Sequence, residues 1–259
     1  MRAMRDDYRL DTLTDDDWIE LKATYYGMVS RVDDQLGRLV TAVDGVGGGV
    51  ADRTAWSFFT DHGEYLGDHG LVEKWPSGLD DCLVRNPLVI AAPGAPAGGV
   101  CDELVELVDL LPTLCELGEV PVAHSHFGRS LLPLLHDPSP ATPHRAAAFS
   151  EGGHRKDEPH VLEQVSVPPY AAKAAIQQRD PTSVGKAVAM RTREWTYVRR
   201  LYEDDELYDR SADPYELTNL AGRPEVAGVE RSMREDVGDW LLATGDAVPW
   251  VPDPRFSSE

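Results

Sequence analysis

Cysteine, lysine, positive charge and long apolar runs are all scarce in this 259-residue sequence. Its three cysteines, Cys82, Cys101 and Cys115, cannot all pair, and their spacing fits no zinc or redox pattern. They read as small buried apolar residues in a reducing compartment, which gives a cytoplasmic expectation. No stretch approaches the roughly 18 apolar residues of a membrane-spanning helix. Residues 1–7 start basic but no apolar segment follows, so no secretory leader is expected. Basic residues number 25 against 45 acidic ones, a net charge of −20, and this excludes nucleic acid as the main partner because such binding draws on clustered Lys and Arg. Only five of the 25 are lysines (Lys22, Lys74, Lys156, Lys173, Lys186), so a lysine inside a motif stands out.

What is present fits a globular chain: 42% hydrophobic and 27% charged residues, with glycine and proline spread along the sequence. Thr14 followed by three aspartates is a helix start, with a capping side chain and acidic groups at the positive end of the dipole. Apolar residues then recur from Trp18 through Leu21, Tyr25, Val32, Leu36 and Leu39 to Val43, which predicts one long amphipathic helix ending at Gly45. Residues 54–60 and 87–92 read as short strands covered on both faces, and leucines at 104, 107, 111 and 114 as a further helix. This order predicts part of a layered α/β domain over 1–136. A proline-rich break at 136–143 marks the boundary to a region 137–259. There, residues 151–186 show no period and read as a long surface loop. Strand-like runs at 187–191, 195–199 and 206–209 and a helix after Pro224 predict a small antiparallel sheet with one helix.

The densest polar cluster, residues 60–76, directly follows the first strand, where α/β sheets deliver side chains into a crevice. Asp61 offers a hard cation an anionic oxygen, and His62 adds a nitrogen ligand or a contact to a substrate oxygen if the chain bends at Gly63. Lys74 can return from the loop as a point charge on an oxyanion. A second Gly-Asp-His-Gly, residues 67–70, places His69 nearby. These residues are equally compatible with an ordinary solvated loop.

The motifs Tyr25-Tyr26-Gly27 through Asp33-Asp34-Gln35-Leu36-Gly37, Asp61-His62-Gly63-Glu64, Leu66-Gly67-Asp68-His69-Gly70, Glu73-Lys74 and Arg85-Asn86-Pro87 occur in an order and spacing that resemble the sulfatase family of the alkaline phosphatase superfamily. The run Met190-Arg191-Thr192, Trp195-Thr196-Tyr197, Glu206-Leu207-Tyr208-Asp209 and Asn219-Leu220 is similar to the small C-terminal subdomain of such enzymes. The resemblance implies an alkaline-phosphatase-like layered α/β domain followed by a small antiparallel sheet with a helix. It also implies hydrolysis of sulfuric esters on a small molecule or a sulfated glycan. Asp61 and His62 would be metal ligands for a divalent cation, Ca2+ foremost with Mg2+ or Mn2+ as alternatives, and Lys74 a catalytic, sulfate-binding residue. His69 would line the same pocket or serve the loop itself.

Several family elements are missing. The nucleophile of these enzymes is a formylglycine made within a Cys/Ser-x-Pro-x-Arg motif, and no cysteine or serine here begins one. The N-terminal Asp-Asp metal ligands are absent too, so the chain reads as a C-terminal portion whose isolated form is expected to be inactive. A complementing N-terminal half or a homo-oligomer is the partner this implies. A phosphonate monoester or phosphodiester hydrolase of the same superfamily, and a non-catalytic binding remnant, remain as alternatives.

Overall fold

The computed structural model describes residues 2–122, 124–168 and 170–246. The helices are α1 (Arg2–Asp7), α2 (Asp15–Gly45), α3 (Asp81–Val84), α4 (Leu110–Leu117), α5 (Leu132–His136), α6 (Tyr170–Arg179) and α7 (Ala227–Thr244). The strands are β1 (Trp56–Phe59), β2 (Leu88–Ala91), β3 (Ala148–Gly152), β4 (Ala187–Arg191), β5 (Trp195–Arg200) and β6 (Glu206–Asp209). β1 and β2 form a two-stranded sheet, and β3-β4-β5-β6 a four-stranded one. The chain divides into two compact units. The first comprises the chain up to Val89, Glu151–Ala187 and Arg200–Asp204; the second comprises Ile90–Ser150, Val188–Arg199 and the chain from Asp205. The proline-rich stretch 136–143 lies inside the second unit, and residues 247–259 lie outside the described part.

Helix α2 begins where the sequence predicts. The Thr14 side chain accepts from the Asp17 N–H, and the Asp17 carboxylate accepts from the Thr14 N–H at 2.8 Å, a reciprocal capping box. Not one residue of its 31 is buried, and Met28, Val32 and Leu39 of its apolar stripe stand more than half exposed. Strand β1 differs from expectation in the same way: Trp56 and Ser57 are half-buried, while Phe58 and Phe59 are exposed. A two-stranded sheet leaves apolar strand residues without neighbours on both sides, so the sequence pattern is that of a covered strand and the observed burial is not.

The core of the first unit is built from Leu10, Tyr65, Leu71, Trp75, Leu83, Leu162, Ile176 and Val184. Three of these, Leu162, Ile176 and Val184, correct the reading of 151–186 as a surface loop. That segment holds α6 and a turn at Pro181–Val184, with Lys173, Ala174, Ile176 and Gln177 buried. Its period is hard to see because two of the four core-facing positions are polar and one is alanine, so the inner face carries little hydrophobic contrast. The cysteines are a second correction: Cys101 is exposed and Cys82 and Cys115 are half-buried, so none is a core residue.

In the second unit, β5 and β6 pair antiparallel with Trp195 opposite Asp209 and Tyr197 opposite Leu207. Val188, Met190, Tyr197, Leu207, Met233 and Val237 close the core between sheet and α7, and Phe149 stacks on Trp240 with ring centroids 4.8 Å apart. Beside that core, Asp109 is fully buried. It accepts from the backbone N–H groups of Arg129 (2.7 Å) and Glu106 (2.9 Å) and from the Arg145 guanidinium. Burial alone would raise its pKa, but these donors outweigh it and hold Asp109 below the usual carboxylate range.

Candidate active site

The loop from Asp61 to Pro76 is fixed at both ends by close backbone packing. Gly63 donates its N–H to the Leu83 carbonyl at 2.7 Å, and a Cβ on Gly63 would sit 2.0 Å from the Cys82 carbonyl oxygen. Only glycine allows that approach, so the bend after Asp61-His62 is written into residue 63. The Asn86 side chain donates to the Asp61 carbonyl at 3.2 Å, tying the strand end to the segment that enters β2.

This clamp leaves the Asp61 carboxylate 87% exposed just past β1. The His62 N–H donates to Asp61 Oδ1 at 3.0 Å, the ring Nε2 lies 3.6 Å from Asp61 Oδ2, and Nδ1 lies 2.8 Å from the Gly63 carbonyl. A carbonyl contact at Nδ1 makes that nitrogen the donor, which leaves Nε2 as the acceptor face beside the carboxylate. Asp61 and His62 thus present one oxygen and one nitrogen donor side by side, as a cation requires. They do not make a full site: among the described residues there is no group of three His, Cys, Asp or Glu placed to hold a metal. Thr60 Oγ1 and Asn86 Oδ1, flanking this strand end, are buried without a hydrogen-bond partner.

His69 makes contacts within and beside the loop. It sits at φ +54°, its carbonyl accepts from Arg5, its Nε2 lies 3.8 Å from Asp80 Oδ1, and its ring stands edge-on to Tyr65. Tyr65 is fully buried and donates its hydroxyl to the same Asp80 carboxylate. Burial and the adjacent Asp80 charge push the Tyr65 pKa far up, so it remains a donor. This Tyr65-Asp80-His69 knot holds the second Gly-Asp-His-Gly in place.

Lys74 is half-buried and follows Glu73, whose φ of +61° is left-handed. A non-glycine residue there costs about 1 kcal/mol or more and persists only where its surroundings fix it. The Glu73 carbonyl accepts from the Tyr65 N–H at 3.0 Å, and its carboxylate lies 3.7 Å from the buried Lys173 ammonium. Lys173 also pairs with Glu163 at 3.3 Å. Tyr8 borders this group, its pKa pushed up to about 12 by burial and then by the charges of Glu73 and Glu163. Glu64 is raised as well, chiefly by burial, with the Glu73 charge raising it and the Lys74 charge lowering it. Lys173 and Glu163 were not singled out by the motif, and Glu73 entered it only as the neighbour of Lys74. The signal that could have found Lys173 is its rarity as one of five lysines, placed in an alanine-rich run that leaves no other cation on that face.

A sulfatase family model matches residues 5–120. The chain is 32% identical over 242 residues to a multifunctional alkaline phosphatase superfamily protein, PehA, of Trinickia caryophylli, covering 91% of this chain and 43% of that one. It is 29% identical to a choline-sulfatase of Rhizobium meliloti, over 84% of this chain and 36% of that one. Its fold superposes on a phosphonate monoester hydrolase of Agrobacterium radiobacter with a TM-score of 0.73 at 28% identity, covering 93% of this chain and 47% of that chain. The chain therefore spans less than half the length of each of these relatives.

Proposed function

Because the chain belongs to the sulfatase family of the alkaline phosphatase superfamily, we propose that it supplies the Asp61, His62 and Lys74 part of a sulfuric ester hydrolase site. The observation that carries this is the Asp61 carboxylate, held exposed past β1 by the Gly63 clamp with His62 folded against it. The family uses a divalent metal, and Asp61 and His62 are the residues that would hold it here, with Ca2+ the best match to a carboxylate-led donor set. A bound cation would act as a Lewis acid on the ester's nonbridging oxygens. Lys74 would add a second positive charge to the site, against the −20 background of the chain. The remaining ligands and the nucleophile would come from a polypeptide carrying the Cys-x-Pro-x-Arg motif. The uncovered apolar face of α2 supports such a partner.

Phosphonate monoester or phosphodiester hydrolysis is the second reading, favoured by the similarity to the Agrobacterium enzyme. Lys74 does not discriminate, since both substrate classes present tetrahedral oxyanions to a point charge. The test mixes the 259-residue chain with a matured N-terminal half of a family member and assays an aryl sulfate and a phenylphosphonate monoester side by side. The isolated chain is expected to show no turnover. The mixture is expected to turn over the sulfate, and Lys74→Ala and Asp61→Ala each to reduce the rate about 100-fold or more. Robust aryl sulfate hydrolysis by the isolated chain would refute the need for a complementing half, and preference for the phosphonate would establish the second reading.

A further inference from the structure

We propose that Lys173 is a positioning residue for Lys74, acting through Glu73; this rests on the reading of Lys74 as the anion-binding lysine. Four observations converge. Lys173 is 3% exposed, and its ammonium lies between two carboxylates, Glu163 at 3.3 Å and Glu73 at 3.7 Å. Glu163 is already secured: it accepts from Gln177 Nε2 at 3.0 Å, its N–H donates to Gln177 Oε1 at 3.0 Å, and its carbonyl accepts from Gln178 at 2.8 Å. The Glu73 carbonyl accepts from the Tyr65 N–H at 3.0 Å, but its carboxylate has no comparable support. Its Oε2 is buried and without a hydrogen bond, so the Lys173 charge is the interaction that compensates it. Glu73 also holds the left-handed φ that sets the direction in which the chain leaves toward Lys74.

The physical consequence is a chain of dependence. Without the Lys173 charge, the half-buried carboxylates of Glu73 and Glu163 repel one another beside Tyr8, and the one with fewer side-chain bonds is displaced. Glu73 then leaves its left-handed conformation, and the residue that follows it changes direction. Helix α6 is a lever on the anion site although no residue of it belongs to the family motif. An ordinary buried ion pair would stabilise the fold without this directional effect, and the two roles separate experimentally.

The experiment titrates the 259-residue chain with inorganic sulfate and follows the Asp61 and Lys74 amides by NMR, alongside urea unfolding. Lys74→Ala is expected to weaken sulfate binding at least tenfold. Lys173→Met and Glu73→Gln are each expected to weaken it about five- to tenfold, and the double variant no further than either alone, since both break the same pair. Lys173→Arg keeps the charge and is expected to stay within about threefold. Ile176→Val, on the same helix and equally buried, is expected to lower stability and leave sulfate affinity within about twofold. Loss of binding in Lys74→Ala with no change in Lys173→Met or Glu73→Gln overturns the positioning role alone. An unchanged Lys74→Ala overturns the reading of Lys74 and the inference with it. Equal weakening by Ile176→Val and Lys173→Met also overturns the inference, by showing that any loss of packing on α6 suffices. Should Lys173→Met fail to fold, Glu73→Gln, which keeps the side-chain volume, decides alone.

Discussion

Helices α2 and α7 are written in the same code and end in different states. Both carry apolar residues at helical spacing, Trp18 through Val43 in α2 and Val226 through Leu241 around α7. In α7 the stripe is used: Met233 and Val237 are buried against Met190, Tyr197 and Leu207 of the sheet, and Trp240 stacks on Phe149. In α2 nothing is buried along a helix of roughly 46 Å. The period of a stripe fixes the type of element and the face it offers, whereas burial depends on a second surface. The sheet β3 to β6 supplies that surface for α7, and the described part of the first unit supplies none for most of α2.

The largest expected effect separates the two helices directly. Leu207→Ala removes a side chain with no exposed surface from the core under α7, and a cost of about 3 kcal/mol follows from the lost transfer energy and the cavity. The matching truncation on α2, Val32→Ala, starts from a residue 55% exposed and should cost no more than about 0.5 kcal/mol. Urea unfolding of both variants measures the difference. Equal losses would mean that α2 is covered in solution, and the contrast would collapse.

The next effect depends on pH and belongs to the second unit. The folded pKa of Asp109 is depressed, so its contribution to stability is fully present above the unfolded value of about 3.9 and is lost as pH falls through the folded value. Asp109→Asn removes that contribution, and breaking a buried pair with Arg145 should cost about 3 kcal/mol at neutral pH. Glu106 titrates with the opposite sign, since burial pushes its pKa up. The stability difference between wild type and Asp109→Asn, measured from pH 7 to pH 2, isolates Asp109 and should shrink toward the acid end. A difference that stays constant across that range would show that Asp109 does not titrate with folding.

Much of this was legible in the sequence because local chemistry decided it. The Thr14 capping box, the stop at Gly45, the bend at Gly63 and the strands read at 187–191, 195–199 and 206–209 each depend on residues within a few positions. Asp61 and His62 are adjacent in sequence, so their juxtaposition needed no tertiary information. Helix α6 was not legible, because its inner face mixes Lys173 and Gln177 with Ala174 and Ile176 and therefore lacks apolar contrast. The Lys173 pairing with Glu73 spans 100 residues, and no spacing rule reaches that far. His69 was visible as a motif residue, but its bonds to Arg5, Tyr65 and Asp80 join segments that are separate in sequence. The exposure of Phe58 and Phe59 was hidden for a different reason: sequence pattern reports what a strand is suited to pack against, and the surface that would cover β1 is not among the described residues.

The smallest expected change in folding free energy tests that last point most directly. Met28→Lys together with Val32→Lys places two charges one turn apart on the exposed stripe of α2. Lysine is a good helix former, and an uncovered stripe loses little packing, so stability should move by no more than about 0.5 kcal/mol per site. Association should change far more. An exposed apolar helix face tends to pair with another surface, and the two lysines would oppose that. Sedimentation velocity is expected to show self-association in wild type that falls in the double variant, and capture of the matured N-terminal half should fall with it. A monomeric wild type whose capture of that half is insensitive to both lysines would separate α2 from any interface. The uncovered stripe would then be a property of the helix alone, and the partner surface would have to be sought on β1.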